Sequence, residues 1–339
     1  MYDFAGDMAQ GNMSAELLDG HDVASSFYDL TATQPQRSVE DVAALVHNFQ
    51  KDSDILCWAT SVLAESPTAG ALLNSAYEKG WSFGFTDLSG GGYFLNNDAK
   101  ILMLDHFCMA PNALGRSLYF RNALLTTFIR ALRDIAQQEA FGSFEQDFGP
   151  EQVLMLERAR AADCDTVVIL AGWELRGAGF TDVWRHILGS EEGDMALIFS
   201  RFLERDPASL FDGTALAYAF RQWYADRSRV DHADHMTLET LDDMLQNAEQ
   251  RNPFGQTELK GALIESLALL PDGVCYLAGL GDAIISDPFF AGLNDEINQT
   301  HLFHLIYDME VTMINNVPFR DNKLARMIFP EATPSKSWR

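Results

Sequence analysis

Side chains able to ligate a metal or move a proton gather in three short stretches of this 339-residue chain. Asp231-His232-Ala233-Asp234-His235 is the densest. On a helix His232 and His235, three apart, share a face, and imidazole suits transition metals. The competing reading is that Asp and His at a helix start serve as capping and loop residues. His301 and His304 repeat the spacing, with Asp308 a turn further on. Core or half-buried histidines explain them too, although the two clusters together offer zinc an alternative site. The third stretch is Arg130-Ala131-Leu132-Arg133-Asp134-Ile135-Ala136-Gln137, in which Arg130 and Asp134 stand four apart and can pair along a helix.

Other chemistries find no foothold. Gly90 to Gly92 follow a serine but lack the Lys and Ser/Thr of a phosphate loop, so they read as a turn. Neither GxSxG nor GxGxxG occurs. The four cysteines, Cys57, Cys108, Cys164 and Cys275, lie far apart without a CxxC pair, which fits reduced core thiols.

The elements that must position these residues are mostly helical. Residues 1–37 lack sustained periodicity and read as a loose arm. From Ser38 the apolar spacing predicts a helix, followed by a second over 55–63 and a third over 68–79. The period then changes. Trp81, Phe83 and Phe85 alternate with smaller residues, and Tyr93 to Leu95 and Lys100 to Asp105 read as further strands, together a small antiparallel β-meander. Two long helices follow, over 118–140 and from Pro150 to about Arg176. Shorter helices are expected over 181–189, 191–205, 213–226, 236–249, 257–269 and 294–308, with Pro271-Asp272-Gly273 as a turn and the tail from Pro330 frayed.

Composition bounds the partners. Hydrophobic residues make up 47% and charged ones 22%, the balance of a globular chain. Forty-nine acidic against 24 basic side chains give a net charge of -25, which repels phosphate backbones and anionic headgroups. Nucleic acid and membrane are therefore not expected partners. No run approaches the roughly 18 apolar residues of a membrane span. The N-terminus has neither a basic n-region nor an apolar h-region, so a cytoplasmic location is expected.

A small sheet whose last strand, KILMLD, leads into an amphipathic helix is the layout in which zincin peptidases hold metal and substrate. In an HExxH helix two histidines one turn apart reach a single zinc, and the glutamate polarises its bound water. Arg130 to Gln137 resembles the HELRH-x-x-Q helix of a family of uncharacterised, mainly alphaproteobacterial proteins described as a putative metallopeptidase domain. The match lies in Leu132, Arg133 and Gln137. Glu157 to Asp165 resembles the second helix of such domains, where an EAD-type motif supplies the acidic ligand; here Ala161-Ala162-Asp163 stands in that place. The likeness spans roughly 70–250 and includes LYFRNALL, GWELR, WRHILGSEEGDMA and FLERDP.

The resemblance implies an α+β, predominantly α-helical chain. A zincin-like core, the meander followed by two long helices, occupies a domain over 38–250, an all-α extension covers 251–329 and a tail 330–339. It puts Arg130 and Asp134 at the two histidine positions, Ala131 at the general-base position and Ala161 at the third-ligand position. Arginine has no lone pair to donate and stays charged, and alanine cannot accept a proton. The expectation is therefore a degenerate, non-catalytic peptidase-like protein without a metal cofactor, binding a protein or peptide. Arg130, Asp134 and Asp163 are expected to cross-link the two helices in place of the metal. The binding cleft is drawn from Asp105, Arg133, Trp173, Glu174 and Trp184, floored by the strand Lys100 to Asp105. Two alternatives stand beside it: an active metal-dependent hydrolase with ligands such as His232, His235, His301 and His304, and a structural helical adaptor.

Overall fold

The computed structural model describes residues 49–88, 92–248, 252–310, 312–314, 317–319 and 327–328. The arm over 1–37, the helix expected from Ser38 except for its last apolar residue Phe49, Gly90 and Gly91 of the expected turn, and the tail from Pro330 lie outside the described residues. The chain divides into two compact units. The first holds residues up to Gly142, Arg160–Asp226 and Glu265–Ala278; the second holds Ser143–Ala159, Arg227–Ile264 and the residues from Gly279.

Two helices open the first unit. Helix α1 (Asp52–Leu63) starts where Asp54 accepts hydrogen bonds from the backbone N–H groups of Gln50 and Lys51, at 2.8 and 2.9 Å. It buries Ile55, Leu56, Ala59, Val62 and Leu63 on one face. Pro67 stands at the first position of α2 (Pro67–Glu78), where its missing N–H costs nothing. The preceding Ser66 caps that helix, its Oγ accepting from the Ala69 N–H at 3.0 Å.

Strands β1 (Ser82–Thr86), β2 (Tyr93–Asn96) and β3 (Ile101–Asp105) then form a sheet in the order β1-β3-β2. This corrects the expected meander: β3 pairs parallel with β1 and antiparallel with β2. Alternation reports which residues share a face and is silent on strand order. Packing decides the order here, because Leu102 and Leu104 of β3 are fully buried, which suits the middle of the sheet. The Phe83 ring lies 5.0 Å from Tyr77 of α2 and 5.4 Å from Phe128, in edge-to-face contacts that tie the sheet to the helices.

The first unit continues through α3 (Pro111–Arg116), α4 (Leu118–Phe141), the part of α5 (Pro150–Gly177) from Arg160 on, α6 (Thr181–Leu188), α7 (Gly193–Arg205) and α8 (Thr214–Trp223). Leu125, Phe128, Ile129, Leu132 and Ile135 of α4 are buried as their spacing predicts. The second unit contains the start of α5, α9 (Arg227–Asn247), most of α10 (Gly261–Leu267), α11 (Gly281–Ser286), α12 (Pro288–Ala291) and α13 (Glu296–Glu310). Helix α9 begins well before the expected 236, so Asp231 to His235 lie within it and not at its start. The C-terminal part is not all-α: β4 (Thr312–Ile314) pairs antiparallel with β5 (Val317–Phe319). Thr, Ile, Val and Phe favour a pleated strand, but three-residue strands are too short to show a period. Among the described residues no helix is long and apolar enough to cross a membrane.

Candidate functional site

Helices α4 and α5 carry the Arg130 to Gln137 and Glu157 to Asp165 stretches, and charged side chains join them inside the first unit. Asp163 has no exposed surface. Its Oδ2 accepts from Arg133 Nε at 2.6 Å and from Gln137 Nε2 at 2.5 Å. Its Oδ1 accepts from Arg133 Nη2 at 3.1 Å and from the Tyr276 hydroxyl at 2.7 Å. Arg133 Nη2 and Gln137 Nε2 also donate to the Leu267 carbonyl, at 2.6 and 2.8 Å. A buried carboxylate with this many donors is well solvated by protein. Desolvation opposes the charge on Arg133, but Asp163 outweighs it and raises the guanidinium pKa. Gly213, with φ +80°, permits the close approach of Tyr276: a Cβ there would stand 2.7 Å from the Tyr276 Cα.

One turn toward the N-terminus of α4, Arg130 reaches other partners. Its Nε donates to Asp165 Oδ1 at 2.5 Å, and its Nη2 donates to Glu192. The Trp223 indole N–H donates to Asp165 Oδ2 at 2.9 Å, and the Ser190 hydroxyl donates to Glu192. Desolvation works against the charge on Arg130, yet the two carboxylates hold its pKa well above the arginine value. Desolvation raises Asp165 despite the pull of Arg130. Glu192 ends below its ordinary value because Arg130 and the Ser190 hydroxyl overcome the cost of burial.

The expected Arg130, Asp134 and Asp163 cluster is therefore corrected in its partners. Arg130 binds Asp165 and Glu192, Arg133 binds Asp163, and Asp134 accepts from the Tyr93 hydroxyl of β2 at 2.9 Å. Sequence spacing shows which residues share a helix face; the facing helix selects the partner. Desolvation raises the Asp134 carboxyl pKa against the opposing influence of Arg160. Cys164 is buried near Asp134 and Asp163, and desolvation followed by those charges raises its thiol well above the ordinary value. Ala131 is fully buried, while Ala161, one turn before Asp165, is half-buried.

These donors do not fit a catalytic zinc. The Arg130 guanidinium is held by two carboxylates, Ala131 offers only a buried methyl, and the Asp134 carboxyl is already bonded to a tyrosine.

The other expected residues fall in separate places. Trp173 and Trp184 pack edge to face at 5.2 Å, Phe199 adds a third ring 5.8 Å from Trp173, and Arg176 lies over Trp173 at 4.3 Å. Trp184 is buried in this aromatic cluster and so does not line an open groove. Glu174 caps α2: its carboxylate accepts from the Ser66 hydroxyl, from the Thr68 N–H at 3.0 Å and from the Thr68 hydroxyl at 2.8 Å. Asp105, at the end of β3, accepts from the Phe107 N–H at 2.8 Å and braces a turn in which Phe107 and Cys108 take φ of 55° and 52°. Both edges of β3 are paired, so a peptide cannot add to it as a further strand.

In the second unit His232 and His235 are exposed on α9, and His235 lies 3.2 Å from Glu239. His301 meets Asp242 at 2.9 Å, and His304 is exposed. Between those clusters Asp234 is buried, bonded to Arg158 and, at 2.7 Å, to Asn298 Nδ2. Among the described residues no group of three or more His, Cys, Asp and Glu is placed to hold a metal.

Tyr93, Asp165, Glu192, Trp223, Leu267 and Tyr276 were not expected as partners in these clusters. A signal existed for Asp165, an acid two residues after Asp163 on a helix that faces Arg130. Nothing local marks a carbonyl or a tyrosine more than a hundred residues away. No curated protein and no solved structure matches the chain. The likeness read over roughly 70–250 is matched further along: residues 119–278, from the first turn of α4 to just past Tyr276, match the model of the family described as Putative metallopeptidase family (DUF6782).

Proposed function

We propose that this chain is a metallopeptidase-like protein that binds a protein or peptide without cleaving it. The observation that carries the reading is Arg130, whose guanidinium lies between Asp165 and Glu192, where the resemblance would put the first metal-binding histidine. A fixed cation there repels a dication and supplies the charge that balances the surrounding acids. In the three-stranded sheet, β1 and β2 are the outer strands, with which a peptide added as a further strand would pair.

Metal analysis of protein purified without added zinc tests the reading, with substoichiometric metal expected. Stoichiometric zinc, lost on changing His232 and His235 or His301 and His304 to alanine, would overturn it in favour of a hydrolase with ligands elsewhere. Arg130→His with Asp134→His frees Asp165 and offers zinc three donors on facing helices. Zinc binding gained by that variant over the wild type is the expected result if the helix pair keeps peptidase geometry.

A further inference from the structure

The second unit carries an open groove of about 630 Å³ between α9 and α13, lined by Asp242, Glu296, Ile297, Thr300, His301, His304 and Leu305. Ile297 is 69% exposed at the groove, while Leu305 of its wall is buried. Carboxylates stand around Ile297. Glu296 stands at the groove, Asp242 accepts from the His301 ring, and Glu239 and Asp243 lie exposed along α9. Of the nearby arginines, Arg158 is buried against Asp234, and Arg227 is held by Asp231 and Asp295.

We propose that this groove docks a basic amphipathic segment of a partner protein, an apolar side chain of it on Ile297 and its Lys or Arg side chains toward Glu296 and Asp242. The proposal rests on the binding reading above and supplies the class of partner, through residues of the other unit. Charge selects the occupant. The chain as a whole bears -25, so its long-range field gathers a basic segment and opposes both an acidic one and a second copy. The exposed Ile297 supplies the apolar anchor that a helix-in-groove contact uses.

The test is titration of the full chain with a synthetic amphipathic peptide bearing Lys on one helical face and Leu and Phe on the other, followed by calorimetry. The expected result is binding that weakens about tenfold or more on Glu296→Lys or Ile297→Ser, both at exposed positions that leave the core intact, and that falls with added salt. Glu65→Lys, an exposed change of equal charge in the first unit, leaves the affinity within about twofold if the groove is the site. Failure to bind, equal weakening by Glu65→Lys, equal binding of the Lys→Glu peptide, or a dimer that depends on Glu296 would each overturn the proposal. The outcome is separable from the fate of the first unit: peptide binding with stoichiometric zinc would sink the metal-free reading alone, and metal-free protein that ignores the peptide would sink the groove alone.

Discussion

Asp163 of α5 joins α4 through Arg133 and Gln137. Removing its carboxylate strands Arg133 in the interior, and loss of one partner of a buried ion pair costs about 3–5 kcal/mol. Asp163→Ala should lower stability by that order in urea denaturation. Asp163→Asn, which keeps one acceptor oxygen, should cost less. Asp134 gives a pH signature of its own. A carboxyl whose folded pKa stands above the unfolded value stabilises the fold below the unfolded value, and that contribution disappears as pH rises through the folded pKa. Desolvation places Asp134 in this class. Asp134→Asn should therefore gain on the wild type as pH climbs from the acid range toward neutrality, read as the difference between their urea midpoints. A difference that stays flat with pH would show that the folded protein does not perturb Asp134.

At the scale of elements, Glu174 is a cap supplied from another helix. It completes the N-terminus of α2, where Ser66 and Thr68 present donors and the helix dipole favours an anion. Glu174→Ala should cost about 1–2 kcal/mol in chemical denaturation, whereas Glu78→Ala, exposed at the far end of the same helix, should change little. Helix α2 also shows what the sequence makes legible. The start expected at residue 68 falls within a residue of the observed Pro67, but nothing in the spacing names Glu174, which enters from about a hundred residues downstream. The long helices α4 and α5 were legible for the same reason, since each carries a sustained period with Gly or Pro at an end. The β1-β3-β2 order and the β4–β5 pair were not, because strand order and very short strands leave no periodic trace. At the candidate site the sequence pointed to the charged residues of α4 but not to their partners. Arg130 and Arg133 took carboxylates two apart on α5, a choice made by rotation of the facing helix.

For the whole molecule, a charge of -25 is a standing self-repulsion that the compact state must withstand. Screening relieves it, so the melting temperature should rise as sodium chloride is raised from low ionic strength to the physiological range, where the Debye length is about 8 Å. The buried pairs made by Arg133 and Arg158 should contribute little to that dependence, because water and salt do not reach them. A melting temperature that falls over this range would mean that surface ion pairs outweigh the repulsion. The clasp around Asp163 has one more consequence. Every atom of it is polypeptide, so it is complete once the chain has been translated and folded. A cell starved of transition metals should assemble it as readily as one replete with them, and dialysis against a chelator should leave the melting curve of the purified protein where it was.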